Sequence, residues 1–365
     1  MPVHVVVVAH TRFALARPFA GGLESVTWHL VRALVARGHR VSVFAAAGSE
    51  PIDGVDYLEP ETIELSEAAR ADVSMPDEGN LQRHHAYLAL MLDLAARTDV
   101  DVVHVHALHY LPTAMAPTLR VPTVLTLHTP PTPWLESALQ VAGRSAARGV
   151  GRMPHVTAVS AHTARAWRHA VEAEVVRNGV DTDEWTPGPG GDRLVWTGRI
   201  TPEKAPHTAV EIARAAGMPL VLAGPLSDAR YARERLMPML GDGVEYAGHL
   251  HDTELVDLVG GSAAALVTPD WDEPYGLVAA EALACGTPVL GLSRGGLREI
   301  VRDEVGALVV PDDRLVGRAA AALPRVLEIP RERCRRYAED HLGMAAMVDG
   351  YLEVYERALR VAEIA

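Results

Sequence analysis

Short apolar runs recur along this chain, and most are followed by stretches with apolar residues at helical spacing. Val3 to Ala9 reads as a buried parallel strand, because a strand covered on both faces loses the polar alternation of a half-exposed one. A helix is expected from about Leu23 to Arg37, stopped by Gly38, with HRVSVFAA as the next strand. Residues 50–80 are acidic and polar without a clear period and read as a variable loop near a cleft. Leu81, Leu88, Met91, Leu92 and Ala95 then mark a helix over 81–96. Strands follow at Asp101 to His106 and at Val121 to Thr129. TPPTPW (Thr129 to Trp134) is too rich in proline for regular structure, and HVTAVSAHTARAW gives a strand, then Ser160, then a helix.

TPGPGGD (Thr186 to Asp192) is the clearest compositional boundary in the chain. Beyond it the alternation resumes. Strands are expected at Leu194 to Arg199, Pro219 to Ala223, Val244 to Gly248, Ser262 to Thr268, Thr287 to Leu292 and in GALVVPD. Helices are expected at His207 to Ala216, Asp252 to Val259, Leu277 to Ala284, Arg331 to Asp340 and Met344 to Ala362, with a further start at Gly295-Gly296. This pattern is α/β with parallel sheets, and 365 residues suit two domains rather than one core.

Composition narrows the class. Apolar residues make up 48% and charged residues 22%, an ordinary globular balance. A net charge of −13 argues against nonspecific nucleic-acid binding and, less strongly, against docking on anionic membranes. A local basic patch would override the second point. Arg144, Arg148 and Arg152, spaced four apart, form a candidate, although a solvated helix face is the simpler reading. Two cysteines form no disulfide framework or metal quartet and fit a reducing cytoplasm. VHVVVVAH is short, lacks a basic start and reads as a first strand rather than a signal peptide, and no run is long and apolar enough to span a bilayer.

The chemistry concentrates in PDWDEPYGLVAAEALACGTPVLGLSRGG, from Pro269 to Gly296. Pro274 holds Glu273 outside the helix that opens at Gly276, while Glu281 lies about one turn inside it. The two carboxylates therefore do not face each other as an acid/base pair. They suit the two ends of one elongated ligand, with the free N–H groups and positive dipole end of the helix between them. The backbone at Gly276, Leu277 and Val278 suits a phosphate, and Glu273 and Glu281 suit ligand hydroxyls. That combination describes a nucleotide sugar. Upstream, Arg199 and Lys204 follow a strand-ending glycine, where two cations suit a diphosphate; the alternative is surface charge before a helix.

Glu273-Pro-Tyr-Gly-Leu-Val-Ala-Ala-Glu281, with Gly-Thr-Pro-Val after it, resembles the Glu-x7-Glu signature of retaining family 4 glycosyltransferases of the GT-B fold. Tyr275 stands where Phe is usual. The resemblance spans nearly the whole chain and implies two Rossmann-like parallel-sheet domains facing across a deep cleft. It implies an acceptor-binding domain over 1–185, a nucleotide-sugar-binding domain over 186–340, and a terminal helix over 341–365 that crosses back onto the first domain. It implies Glu273 on the donor sugar, Glu281 on the ribose, Arg199 and Lys204 on the pyrophosphate, and the base seated at His249-Leu250. His128 would stand beside the reacting sugar carbon; its alternative is a strand-end histidine that caps a carbonyl. Gly21-Gly22-x-Glu24 resembles the family's loop beside the donor phosphate, which brings in Gly22, while Glu24 reads as a first-turn dipole partner.

His106, Trp134 and Ser160 are the acceptor-region candidates: a histidine at the cleft mouth, an apolar wall, and a hydroxyl whose alternative is an N-cap. His104, His106 and His109 raise a zinc reading, against which no cysteine or suitably spaced carboxylate accompanies them. Metal-independent hexosyl transfer without a cofactor is expected, from a UDP- or GDP-linked sugar to a soluble small-molecule or saccharide acceptor. Competing readings are an epimerase or hydrolase on the same fold and a non-catalytic nucleotide-sugar binder. Pyridoxal-phosphate phosphorylases share the fold, but no cofactor-lysine context is evident.

Overall fold

The computed structural model describes residues 2–74 and 77–364; Met1, Met75, Pro76 and Ala365 lie outside the described residues. Two all-parallel sheets organise the chain. The first holds β1 (His4–Val8), β2 (Arg40–Phe44), β3 (Val55–Leu58), β4 (Val102–Val105), β5 (Thr123–Leu127), β6 (His155–Ala158) and β7 (Glu174–Val175), in spatial order β3-β2-β1-β4-β5-β6-β7. The second holds β8 (Leu194–Thr197), β9 (Leu220–Ala223), β10 (Val244–Tyr246), β11 (Ala264–Val267), β12 (Val289–Leu292) and β13 (Gly306–Val309), in order β10-β9-β8-β11-β12-β13. In each, chain order reverses beside the first strand, between β1 and β4 and between β8 and β11. Open parallel sheets bind ligands outside the carboxyl ends of their strands at such a reversal. The arrangement is the GT-B fold.

The apolar runs form strands because they are covered on both faces: Val5 to Val8 are fully buried, as are Leu194, Val195, Leu220 and Leu222. The last helix, Met344–Ile364, follows the second sheet in sequence but inserts Met347, Val348, Tyr351, Val354 and Tyr355 against the core of the first.

Several elements differ from the sequence expectation. Val55–Leu58 is an edge strand and Glu67–Arg70 a short helix inside the stretch read as loop. The strand escapes notice because only one side of it is paired, so its residues stay half exposed. Thr129–Trp134 is not wholly irregular. Thr132 caps a helix over Pro133–Ala147, and its hydroxyl accepts the Leu135 N–H at 3.4 Å. Proline is acceptable at the first helical position, where its missing N–H has no partner to lose. The helix ends at Ala147, so Arg152 lies beyond it, donating to the Ala362 carbonyl, and the three arginines share no single helix face. Helices Tyr110–Met115 and Leu315–Leu327 carry no clear sequence signal; the second contains Pro324. Among the described residues no helix is long and apolar enough to cross a membrane.

Arg331 fastens the connection between the sheets. Its guanidinium donates to the carbonyls of Gly188, Gly260, Ser262 and Cys285 and to the Thr287 hydroxyl, at 2.7 to 3.2 Å. Gly188 packs so closely on Gly260 that a Cβ there would sit 2.3 Å from backbone carbon. Arg331→Met is expected to strand these carbonyls and lower stability by about 2–3 kcal/mol. Urea unfolding followed by tryptophan fluorescence measures this; an unchanged midpoint would remove Arg331 from that role.

Candidate active site

A cavity of about 320 Å³ lies between the two sheets, lined by the loops that leave β1, β5, β8, β9 and β11. Eleven of the sequence-predicted residues line it: Gly22, His128, Arg199, Lys204, His249, Leu250, Glu273, Gly276, Leu277, Val278 and Glu281.

The loop carrying Glu273 is fixed by backbone contacts. Gly295 has φ +56°, and a Cβ there would lie 2.1 Å from the Glu273 carbonyl oxygen. The neighbouring Gly296 donates its N–H to that oxygen at 2.6 Å. Only glycine permits both the left-handed backbone and the close approach. Gly276, at φ +103°, opens the helix Leu277–Ala284; a Cβ there would meet Leu297 at 2.4 Å. Among the described residues the Leu277 and Val278 amides find no acceptor within the protein, leaving two N–H donors at the cavity.

Glu273 is held by two donors. Lys204 Nζ meets both of its oxygens, at 2.9 and 2.7 Å, and the Trp271 indole N–H donates to Oε2 at 2.9 Å. Ala205, buried and left-handed at φ +47°, turns the chain directly after Lys204; the Thr268 hydroxyl donates to its carbonyl at 3.0 Å. Arg199 reaches Glu203 at 3.5 Å and lies beside Gly21, on the opposite wall. Two cations, two free amides and two carboxylates thus share one cavity.

Burial raises three carboxyls in this cavity, those of Glu281, Glu24 and Asp252. Glu281 is pushed up to about 8, first by burial and then by the Asp252 carboxylate. Glu24 is pushed up to about 7 by burial, which outweighs the backbone hydrogen bond and the Arg199 and Arg12 charges. His128 is driven down to about 3 by burial.

The sequence profile of Glycosyltransferase Family 4 matches residues 20–184, and that of Glycosyl transferases group 1 matches residues 185–341. A D-inositol 3-phosphate glycosyltransferase of Frankia alni is 30% identical, covering 95% of this chain and 97% of that one. The chain belongs to glycosyltransferase family 4. A glycogen synthase of Mycobacterium tuberculosis is also 30% identical, over 87% of this chain and 84% of its own. Among solved structures, AviGT4, a glycosyltransferase involved in avilamycin A biosynthesis, superposes with TM-score 0.70 at 23% identity, covering 98% of each chain. Anabaena HepE in complex with UDP and glucose superposes with TM-score 0.72 at 17% identity, covering 97% of this chain and 100% of that one.

Three residues expected in the acceptor region of this glycosyltransferase lie outside the cavity lining. Ser160 is fully buried. It caps the helix Ala161–Trp167, accepting the Thr163 N–H at 3.0 Å, and donates to the Pro274 carbonyl at 2.5 Å. Its hydroxyl is spent on joining the first domain to the Glu273 loop, not on an acceptor. Trp134 is 56% exposed and packs on Tyr110 and His109, with ring centroids 5.0 and 5.7 Å away. His106 is fully buried behind His128 and reaches it with Nδ1 at 2.9 Å from Nε2. The three histidines of the zinc reading do not converge, because His109 stacks on Tyr87 instead, centroids 4.6 Å apart. A different trio, His29, Asp181 and Glu184, is compact enough to share an ion, but Glu184 already accepts from Arg17, Arg32 and His29.

The enzyme also lines its cavity with residues the sequence did not single out: His10, Arg12, Asn178, Asp252 and Trp271. Glu24 was legible in the Gly-Gly-x-Glu pattern but was assigned to the helix dipole. It is 5% exposed, on the cavity wall, with Oε2 3.3 Å from where a Gly21 Cβ would sit.

The raised Glu281 has a stability consequence. Its proton is held to about pH 8 in the folded protein but to about 4.5 in the unfolded chain. Its contribution is therefore full below about pH 4.5 and lost as pH rises through 8. In ligand-free enzyme, the melting temperature of the parent minus that of Glu281→Gln is expected to fall from pH 5 to pH 8 and then level. A difference independent of pH would contradict the burial argument.

Proposed function

We propose that this glycosyltransferase moves a hexosyl group, with retention and without a metal ion, from a nucleoside-diphosphate sugar to a hydroxyl of a soluble small-molecule or saccharide acceptor. A UDP- or GDP-linked donor is favoured. The observation that carries the reading is the convergence of Arg199, Lys204 and the Leu277 and Val278 amides with Glu273 and Glu281 on one cavity. Positive charge and N–H donors suit a diphosphate, and carboxylates on either side suit the hydroxyls of sugar and ribose. The relatives support the class: one is a D-inositol 3-phosphate glycosyltransferase, another a glycogen synthase. HepE, which shares the fold, has been solved with UDP-glucose.

In the reaction, the bond between the anomeric carbon and the diphosphate oxygen breaks. The acceptor oxygen bonds to that carbon on the same face, and its proton passes to the departing phosphate oxygen. Arg199, Lys204 and the two amides meet the charge that develops on the diphosphate. Glu273 holds the sugar hydroxyls and so orients the ring. In the ligand-free protein Lys204 neutralises Glu273, and an arriving diphosphate competes for the same ammonium. Glu273 then becomes available to the sugar as its partner turns to phosphate. The sequence offers no obvious nucleophile for a double displacement.

Glu273→Ala is expected to lower kcat by at least about 100-fold while circular dichroism shows an unchanged fold. Lys204→Ala is expected to raise the donor Kd as well. A thermal-shift panel of UDP-, GDP- and dTDP-sugars identifies the donor, since binding to the native state alone raises Tm. Proton NMR of the first-formed product reads the anomeric outcome, and added chelator tests metal independence. Normal turnover by Glu273→Ala would refute the assignment. Free sugar or an epimer formed from donor alone would indicate a hydrolase or epimerase.

A further inference from the structure

Behind His128 runs a buried polar chain that does not touch the cavity. His128 Nε2 meets His106 Nδ1 at 2.9 Å, and His106 Nε2 meets His104 Nδ1 at 3.3 Å. His104 Nδ1 also meets the Tyr355 hydroxyl at 2.6 Å, and His104 Nε2 meets the Thr126 hydroxyl at 2.8 Å. Thr126 in turn contacts Thr157 at 2.9 Å and Tyr351 at 3.2 Å. His104, His106, Tyr351 and Tyr355 are each at most 1% exposed. Tyr351 and Tyr355 stand on the last helix, Met344–Ile364.

The direction of the protons along this chain can be worked out from its donors and acceptors. Among the described residues the Tyr355 hydroxyl has one partner, His104 Nδ1. A buried O–H without an acceptor is costly, so Tyr355 donates and His104 Nδ1 accepts. His104 then carries its proton on Nε2 and donates to Thr126. His106 Nε2 faces the lone-pair side of His104 Nδ1. An unprotonated His106 Nε2 would set two lone pairs against each other, so it carries the proton and shares that acceptor. His106 Nδ1 is then an acceptor, and His128 donates from Nε2.

We infer that Tyr355, through His104 and His106, fixes His128 as the Nε2–H tautomer and leaves its Nδ1 lone pair free to accept a hydrogen bond from a substrate hydroxyl in the cleft. His128 lines the cavity, and among the described residues its Nδ1 finds no protein partner and is not sealed from the surface. Tyr355, His104 and His106 are thus positioning residues. They act on the reacting groups only through His128, and the tyrosine that sets them comes from the far end of the chain. The inference rests on the reading that His128 faces the substrate.

The test uses the full chain with 15N-labelled histidine. Two-bond 15N–1H correlation spectra report which ring nitrogen is protonated, and His128→Asn assigns the resonance. The parent is expected to show His128 as the Nε2–H form. Tyr355→Phe, which keeps the ring and removes the donor, is expected to mix the two tautomers. His106→Leu is expected to do the same and to lower kcat by about tenfold or more, with donor KM nearly unchanged. His106→Gln, whose side-chain oxygen can accept from His128 Nε2–H, is expected to recover most of that loss. A parent spectrum with the proton on His128 Nδ1 overturns the inference, as does a tautomer unmoved in both Tyr355→Phe and His106→Leu. A shifted tautomer with unchanged kcat overturns the substrate-facing role of His128 instead, and leaves the donor clamp standing.

Discussion

The pairing of Lys204 with Glu273 is the contact the cleft is built around, because a carboxylate in a half-closed site needs a partner for its charge. Both oxygens of Glu273 lie within 2.9 Å of the ammonium, and the Trp271 indole takes one of them as well. An isolated charge in such a place is driven to neutralise itself, as happens to Glu281 in the same cavity. The difference between the two glutamates is their partners. Glu273 has a cation and an N–H, whereas the charge that shifts Glu281 is the like charge of Asp252. Lys204 can hold its position only because Ala205 turns left-handed directly after it, a conformation kept by burial and by the Thr268 hydroxyl.

The Glu273 loop is also one of the places where the two domains touch. The Ser160 and Thr163 hydroxyls of the first domain donate to the Pro274 carbonyl, at 2.5 and 3.1 Å, one residue from Glu273. Glu299 of the second domain returns the contact by accepting the Ala161 and His162 amides at 3.1 and 2.7 Å, which caps a helix across the interface. Two helix-end requirements, an N-cap hydroxyl and free N–H groups, are thereby met by groups that also fix the distance between the sheets. The relative position of Glu273 and His128, which come from different domains, depends on these bonds.

The parts of this arrangement carried by local rules could be read from the chain. Buried runs gave the parallel strands, the Thr186–Asp192 composition marked the linker, and the Leu277–Ala284 helix appears with the bounds its glycines imply. The cavity lining was legible for the same reason: Arg199, Lys204, Glu273, Gly276 and Glu281 sit within short strand-end and helix-start motifs. The places of Ser160, Trp134 and His106 were not. Ser160 and His106 carry the right chemistry, yet whether a hydroxyl or imidazole faces a cleft or a neighbouring backbone is decided by packing between distant segments. Ser160 meets Pro274 from 114 positions away, and His104 meets Tyr355 from 251. Asp252 and His10 likewise enter the cavity from loops whose residue types are common at any surface.

The ionisable groups around the cleft are shifted in two opposite senses, and one cause explains both. Burial without a ligand disfavours charge, so Glu24 and Glu281 hold protons while His10 and His128 refuse them, with pKa values near 7, 8, 4 and 3. By linkage the carboxyls lose their stabilising contribution as pH rises from about 4.5 toward 8. The histidines lose theirs as pH falls below about 6.5, where the unfolded chain takes up protons that the folded one does not. The ligand-free cleft is therefore set against charge from both sides of neutrality. Hydroxyl donors placed against Glu281 would favour its ionised form, whereas a hydrogen bond accepted at His128 Nδ1 requires the neutral imidazole. The same desolvation that makes Glu281 costly to ionise keeps His128 neutral.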